Sequence, residues 1–294
     1  MGKKLKKIHP VRSIILVLMA LIFLVPFLLI ISISITDAEA ITKYGYKLIP
    51  KALNFDAYYA TLKNPTQLIR SYEVTIFFAT VATVLSLIVM SLLAYALSRR
   101  EFKLRKGISV YLLITMLFHG GLVPSYILIT KYLQLNNTIW VYIIPSLVSA
   151  WHVIIIRTFF QGLPDGIVEA ARIDGAIETV IFARIILPLS KPVLATVGFM
   201  ILLGKWNDWS TTLIYITDTR LYSLQYLLQK ILREAEFLKN VADTGAGAMF
   251  ANQTGQTDNM KFAMAILAAG PMLVVFPFFQ KYFTKGLTVG SVKG

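Results

Sequence analysis

Glu169-Ala170-Ala171-Arg172-Ile173-Asp174-Gly175-Ala176, followed after Arg184 by Ile185-Ile186-Leu187-Pro188, is a short polar stretch between two long apolar ones. Leu163-Pro164-Asp165 just before it puts proline and an acid at a helix start. There a missing N–H is harmless, and negative charge meets the positive end of the helix dipole. Gly175 can take the left-handed conformation that ends a helix and turns the chain. A second helix from Ile177 carries Val180, Ile181, Arg184 and Ile185, and Pro188 closes it. Ala170 and Ala171 have almost no side chain, so a partner's backbone can come close. Helix, glycine corner and second helix read as a docking surface for a soluble partner.

The flanks decide the class. Of 294 residues, 56% are hydrophobic and 15% charged, too apolar for an ordinary soluble domain. The apolar residues lie in runs near 14–35, 73–97, 108–129, 138–160, 192–214 and 261–280. Each approaches the roughly 20 residues a helix needs to cross a bilayer. The fold class is therefore all-α integral membrane with six transmembrane helices in one domain, 14–280. The first run exceeds the roughly 7 to 15 residues of a signal-peptide core, so it reads as a retained anchor despite Ala38-Glu39-Ala40 behind it. With no cysteine, disulfides and thiolate chemistry are excluded.

The net charge of +14 is concentrated beside the apolar runs, which points to the positive-inside rule and away from nucleic acid. Lys3, Lys4, Lys6, Lys7 and Arg12 precede the first run, and Arg99, Arg100, Lys103, Arg105 and Lys106 follow the second. Lys281 and Lys285 follow the last. The tails 1–13 and 281–294 and the 98–107 connection thus lie in the cytoplasm. Loop 161–191 joins them by parity, and segments 37–70 and 216–260 lie outside. In the outer segment, Leu224, Leu228, Ile231, Ala235 and Leu238 recur as an amphipathic helix. Asp243 to Asn259 reads as a flexible tip. His119-Gly120-Gly121 with Pro124, and Pro145 likewise, interrupt the third and fourth spans. Such breaks are either kinks or irregular backbone lining a cavity.

The 169–188 string resembles the EAA loop of importer-type ABC transporter permeases: Glu-Ala-Ala, three residues, Gly, nine residues, Ile-x-Leu-Pro. Glu169, Ala170, Ala171, Gly175, Ile185, Leu187 and Pro188 match every position. Phe160-Gln161-Gly162-Leu163-Pro164, Ile173-Asp174-Gly175-Ala176 and Trp206-Asn207-Asp208-Trp209 are similar to the sugar-type permeases of maltose-like importers. The ending Pro277-Phe278-Phe279-Gln280-Lys281-Tyr282-Phe283 with Lys285-Gly286 resembles the branch assigned to polysaccharide or lipoprotein transport. The resemblance implies a type I ABC importer permease in a bacterial cytoplasmic membrane. Its coupling helix between spans four and five, with Arg172 and Asp174 among its residues, would seat in a cytoplasmic ATPase. It further implies a homologous second permease, two ATPase subunits, an extracytoplasmic solute-binding protein and an oligosaccharide substrate. ATP chemistry is not expected here. A P-loop needs Gly, four residues, then Gly-Lys-Ser or Gly-Lys-Thr. The nearest string, Gly198 to Gly204-Lys205, has five intervening residues and ends in Trp206. The chain thus carries no cofactor of its own, and ATP and magnesium belong to the partner.

Span five is the candidate substrate path. Trp206 to Trp209 lie about 20 to 26 Å beyond Pro192 along a helix. Lys205 and Asp208 are charged groups in an apolar run, costly unless they face a cavity or each other. Indole rings beside Asn207 and Asp208 suit a sugar, which offers apolar C–H faces and hydroxyls. The other reading is an aromatic belt with an interface anchor. His119 and His152 lie near mid-membrane without an acid at helical spacing, so cavity lining or packing is expected of them. Arg157 reads as a snorkelling anchor. A secondary transporter or channel would show buried coupling-ion residues. A membrane enzyme would show a nucleophile–base pair or metal ligands. Neither pattern is present in the spans.

Overall fold

The structure is a computed structural model that describes residues 10–63, 65–243 and 251–289. The described residues are helical, with one isolated bridge between Thr36 and Leu53 as their only β pairing. Three helices are long and apolar enough to cross a membrane, within Ile14–Ser34, Pro65–Ser98 and Asn259–Gln280. Three bent pairs raise the number to six if each is one span. The chain forms two compact units, residues 1–65 with 228–270, and residues 66–227 with 271–294.

In the first unit, α1 (Pro10–Ser34) is 25 residues, about 37 Å at 1.5 Å per residue. Its end is fastened by hydroxyls. Ser34 Oγ lies 2.9 Å from the Tyr58 hydroxyl of α3 (Asp56–Lys63), and Thr36 Oγ1 donates to the Ser32 carbonyl at 2.6 Å. The Asp37 carboxylate caps α2 (Ala38–Tyr44), accepting from the N–H of Glu39 at 3.0 Å and from Asn54 Nδ2 at 2.9 Å. Ala38-Glu39-Ala40, which mimics a cleavage site, is the first turn of this capped helix. The buried Asn259 closes the unit by donating to the Thr36 carbonyl at 2.6 Å.

The second unit is organised on α4 (Pro65–Ser98). Met90, Ala94 and Leu97 of its last turns are fully buried against α7 (Ala150–Gln161) and α11 (Lys191–Trp206) through Val153, Ile156 and Val197. At Gly198 a Cβ would lie 2.9 Å from Leu87 Cδ1, so α11 lies close to α4 and a larger residue there would require the Leu87 side chain to shift. A second cluster gathers Val74, Phe78, Ala79 and Ala82 of α4 with Ile129, Val141, Tyr142, Ile143 and Ile216.

Runs three and four are broken near the residues that interrupt them in the sequence, and run five is broken as well. Helix α5 (Arg105–Leu117) has 13 residues, about 20 Å, short of the roughly 30 Å hydrocarbon core. At Gly121, with φ of 86°, the chain bends 114° into α6 (Leu122–Ile127) and a π-helical turn to Tyr132. Only a glycine takes that conformation without strain. Span four opens as two 3-10 turns, Ile139–Tyr142 and Ile144–Ser146, because Pro145 lacks the N–H an α-helix needs. It bends 50° into α7. Between α7 and α11 lie α8 (Asp165–Ile173), α9 (Glu178–Ile181), a π-helical turn Phe182–Ile186 and α10 (Leu187–Leu189). Span five stops at Trp206 and resumes as α12 (Ser210–Tyr215). The amphipathic pattern from Leu224 is one helix, α13 (Leu224–Asp243). The flexible tip expected up to Asn259 needs correction: from Ala251 the chain is already helical, as α14 (Ala251–Val289). Residues 244–250 of that tip lie outside the described residues.

Candidate functional site

The Glu169–Pro188 string folds much as its local chemistry dictates. Pro164 stands at the N-cap of α8 with extended backbone, φ −60° and ψ 124°, and Asp165 occupies the first turn. Gly175 has φ of 77°. Its N–H donates to the Arg172 carbonyl at 3.0 Å, and that of Ala176 to the Ala171 carbonyl at 3.0 Å. These bonds satisfy carbonyls that every helix end orphans.

The two faces of α8 are distinct. Val168 and Ala171 are buried in the chain's own core beside Phe160 and Ile181. Glu169, Ala170 and Asp174 face outward. The expectation that both alanines leave room for a partner is thus corrected: Ala170 is exposed, while Ala171 faces inward. Ile185 and Leu187 are half-buried and Pro188 is exposed. Sequence reasoning missed Ile173 and Ile177, which flank the glycine corner and are 86% and 66% exposed. They are two large aliphatic side chains left bare on a polar turn. The available signal was two isoleucines bracketing Asp-Gly-Ala.

Arg172 ties this turn to the end of α4. Its Nη1 donates to Glu101 Oε1 at 2.9 Å, and its Nε to Glu178 Oε1 at 2.9 Å. Glu178 Oε2 accepts from the Tyr95 hydroxyl, and Arg99 lies over the Tyr95 ring at 4.7 Å. The Arg172 hydrogen bond holds the Glu101 carboxyl below its ordinary range, and the two carboxylates push Arg172 up. A depressed carboxylate loses its contribution only as pH falls through its lowered pKa, so the bridge is intact at neutral pH. Beside it is a cavity of about 310 Å³ lined by Arg99, Arg100, Glu101, Asp165, Glu169 and Arg172 among others. All three members of the bridge are substantially exposed, and such pairs contribute about 0–1 kcal/mol each. Arg172→Ala is therefore expected to leave thermal unfolding in detergent nearly unchanged. Arg172→Lys should do the same, although one ammonium bridges two carboxylates less well than a guanidinium fork. A large fall in unfolding temperature would show that the bridge is structural.

The span-five residues are gathered, but not as expected. Lys205 does not meet Asp208; its Nζ donates to the Tyr142 carbonyl at 2.7 Å. That carbonyl, in the 3-10 turns at 139–146, also accepts from Ser146 Oγ at 3.2 Å and answers the cost of the ammonium. The Asp208 carboxylate caps α12, accepting from the Thr211 N–H at 3.0 Å and Thr211 Oγ1 at 2.7 Å. Trp206 is buried, Asp208 and Trp209 are half-buried, and Asn207 is exposed with its Nδ2 donating to the Leu203 carbonyl at 2.9 Å. His119 Nδ1 accepts from the Gly121 N–H at 3.1 Å, so that ring stabilises the glycine bend. His152 is half-buried with its Nδ1 unpartnered among the described residues. No group of three or more metal-ligating side chains occurs among the described residues. Sequence reasoning also missed Tyr142, Thr212 and Ser223, a buried hydroxyl chain under this region.

The sequence pattern of the family described as "Binding-protein-dependent transport system inner membrane component" matches residues 102–289. Protein LplC of Bacillus subtilis (strain 168) is 38% identical, covering 93% of this chain and 90% of its own. The polygalacturonan/rhamnogalacturonan transport system permease protein YtcP of the same organism is 34% identical over 95% of this chain and 96% of its own. A chain in the crystal structure of a bacterial ABC transporter involved in the import of the acidic polysaccharide alginate superposes with a TM-score of 0.78. It is 29% identical, covering 93% of this chain and 95% of that one. With apolar helices of membrane-spanning length and these relatives along nearly its full extent, the chain belongs to the binding-protein-dependent transport system inner membrane components, as a permease of the ABC transporter type.

Proposed function

We propose that this permease imports oligosaccharides of an acidic, uronate-containing polysaccharide by alternating access. The observation that carries the substrate class is its likeness to YtcP and to the alginate importer along nearly the whole chain. In this reading the chain has six spans with both termini in the cytoplasm, the three bent pairs each counting as one. The turn around α8 is the coupling element between spans four and five, with Glu169, Ala170, Ile173 and Asp174 presented to an ATPase. ATP and magnesium are held by that ATPase, two copies of which work beneath this chain and a homologous second permease. A solute-binding protein delivers the sugar to outer segments that include 216–260.

The mechanism follows from the way α8 is mounted. Closure of the ATPase pair on ATP presses the exposed face of α8. Val168 and Ala171 are packed among Phe160 and Ile181, and Arg172 is tied to Glu101, in the turn that follows α4. A push on α8 therefore reaches α4, α7 and α11 together. Helix α11 carries Lys205 and Trp206 and leads directly into residues 207–209, so the same movement re-forms the proposed substrate path.

The test is uptake of labelled digalacturonate by vesicles holding both permeases and the ATPase, with the binding protein outside. Accumulation that requires ATP inside and binding protein outside is expected. Uptake without the ATPase would favour a secondary transporter or channel. Uptake of neutral but not acidic oligosaccharides would overturn the substrate class.

A further inference from the structure

We infer that the basic hollow between the start of α5 and the end of α7 binds the phosphate of an anionic lipid of the inner leaflet. The inference rests on the topology proposed above, which places residues 98–107 at the cytoplasmic surface. The hollow, about 670 Å³, is lined by Arg100, Lys103, Arg105, Lys106 and Arg157, with Glu101 as the acid in its wall. Glu101 is already engaged by Arg172 at 2.9 Å, and none of the five cations has a carboxylate within ion-pair distance among the described residues.

The positive-inside rule accounts for cations in a loop, but not for their convergence on Arg157. Arg157 stands on the apolar helix α7, four residues before its last residue, Gln161. Its Nη1 donates to Ser109 Oγ at 2.9 Å, while Ser109 Oγ itself donates to the Arg105 carbonyl at 2.6 Å. That chain of bonds holds the guanidinium against α5. Its Nε is buried with no acceptor among the described residues. A phosphate oxygen placed among Arg157 and the other cations lining the hollow would accept charge-assisted hydrogen bonds.

The surroundings select a lipid over a soluble anion. The rim includes Val110, and above it Val110, Leu113, Ile114 and Leu117 form an exposed apolar stripe along α5. Acyl chains would lie along this stripe while the headgroup sits in the hollow. A cation near an anionic membrane surface contributes about five-fold in affinity.

The experiment is lipid retention by the permease complex, released from nanodiscs and read by native mass spectrometry. Phosphatidylglycerol is compared with phosphatidylcholine. Wild type is expected to retain phosphatidylglycerol preferentially. Arg157→Gln and Lys106→Gln should each reduce that preference about five-fold, and Arg157→Lys should keep most of it. Equal retention of the two lipids, or variants like wild type, would overturn the site. Release of phosphatidylglycerol by millimolar glycerol phosphate would make a free phosphate the ligand, and its loss on ATPase assembly would assign the hollow to that interface; either result overturns the lipid. Uptake is measured in parallel. Lost lipid preference with wild-type uptake intact sinks this inference alone, and absent wild-type uptake sinks the transport reading instead.

Discussion

Gly175→Pro is expected to abolish transport while the subunit still inserts and assembles. Proline holds φ near −65°, whereas Gly175 sits at 77°, so the corner cannot form as it stands. The substitution also removes the N–H that donates to the Arg172 carbonyl at 3.0 Å. A misplaced proline costs about 3 kcal/mol or more, which is roughly a hundred-fold in the occupancy of the native turn. Because Gly175 itself is exposed and most of the core on α4, α7 and α11 lies away from it, with only Ala171, Ala176 and Ile181 of that core near the corner, membrane insertion should survive. Gly175→Ala separates conformation from crowding: a Cβ at this position would have no atom within 4 Å. Its penalty is the left-handed conformation alone, about 1–2 kcal/mol, so it should transport more slowly but detectably. ATP hydrolysis and sugar uptake are measured together in reconstituted vesicles. The expected outcome for the proline variant is hydrolysis that no longer responds to substrate, with no accumulation. Uptake at the wild-type rate would remove α8 and its corner from the coupling pathway.

The corner was legible in the sequence because everything that makes it is local. Proline before an acid starts α8 and glycine ends it, within a dozen residues, and the resemblance to the permease family rests on the same short string. The spans were legible as apolar runs, but hydropathy carries no direction. A run broken at Gly121 and bent by 114° has nearly the same composition as a straight one. Pro145 and the His119-Gly120-Gly121 triplet marked where the breaks fall, not how far the chain turns. The partners of the charged residues were the least legible. Lys205 and Asp208 sit three apart on what reads as one helix, which suggests a pair. The helix stops at Trp206, and each charge finds backbone or hydroxyl groups instead. Lys205's acceptor is 63 residues away in sequence, on a turn that no periodicity foretells. Likewise, adjacent alanines cannot be told apart until Ala171 packs beside Phe160.

The same turn makes Tyr142 the second site of large effect. The side chain is wholly buried, and its ring stacks on Phe78 with centroids 4.2 Å apart and planes 9° from parallel. Its hydroxyl donates to the Leu221 carbonyl at 2.8 Å and lies 2.7 Å from Thr212 Oγ1. Thr212 donates to Ser223 Oγ at 2.9 Å, and Ser223 donates to the Asp208 carbonyl at 2.9 Å. Through its own carbonyl Tyr142 also receives Lys205 Nζ. One residue therefore fixes the second core cluster and both ends of the 205–208 segment. Tyr142→Ala deletes a buried aromatic ring and is expected to destabilise the unit by about 3–5 kcal/mol, enough to lose most folded protein on detergent extraction. Tyr142→Phe keeps the stack and leaves the Leu221 carbonyl short of its donor, a cost of about 1–3 kcal/mol. The phenylalanine variant should fold, unfold at lower temperature and take up sugar more slowly, because the hydroxyl chain that ends on the Asp208 carbonyl loses its first member, while the backbone carbonyl still receives Lys205. Thr212→Val should resemble it, and the double variant should cost less than the two singles added, since both break one chain of hydroxyls. Thermal unfolding of the four proteins in nanodiscs reads this directly. Strict additivity would mean that the hydroxyls act separately, and the 205–208 segment would then need another support.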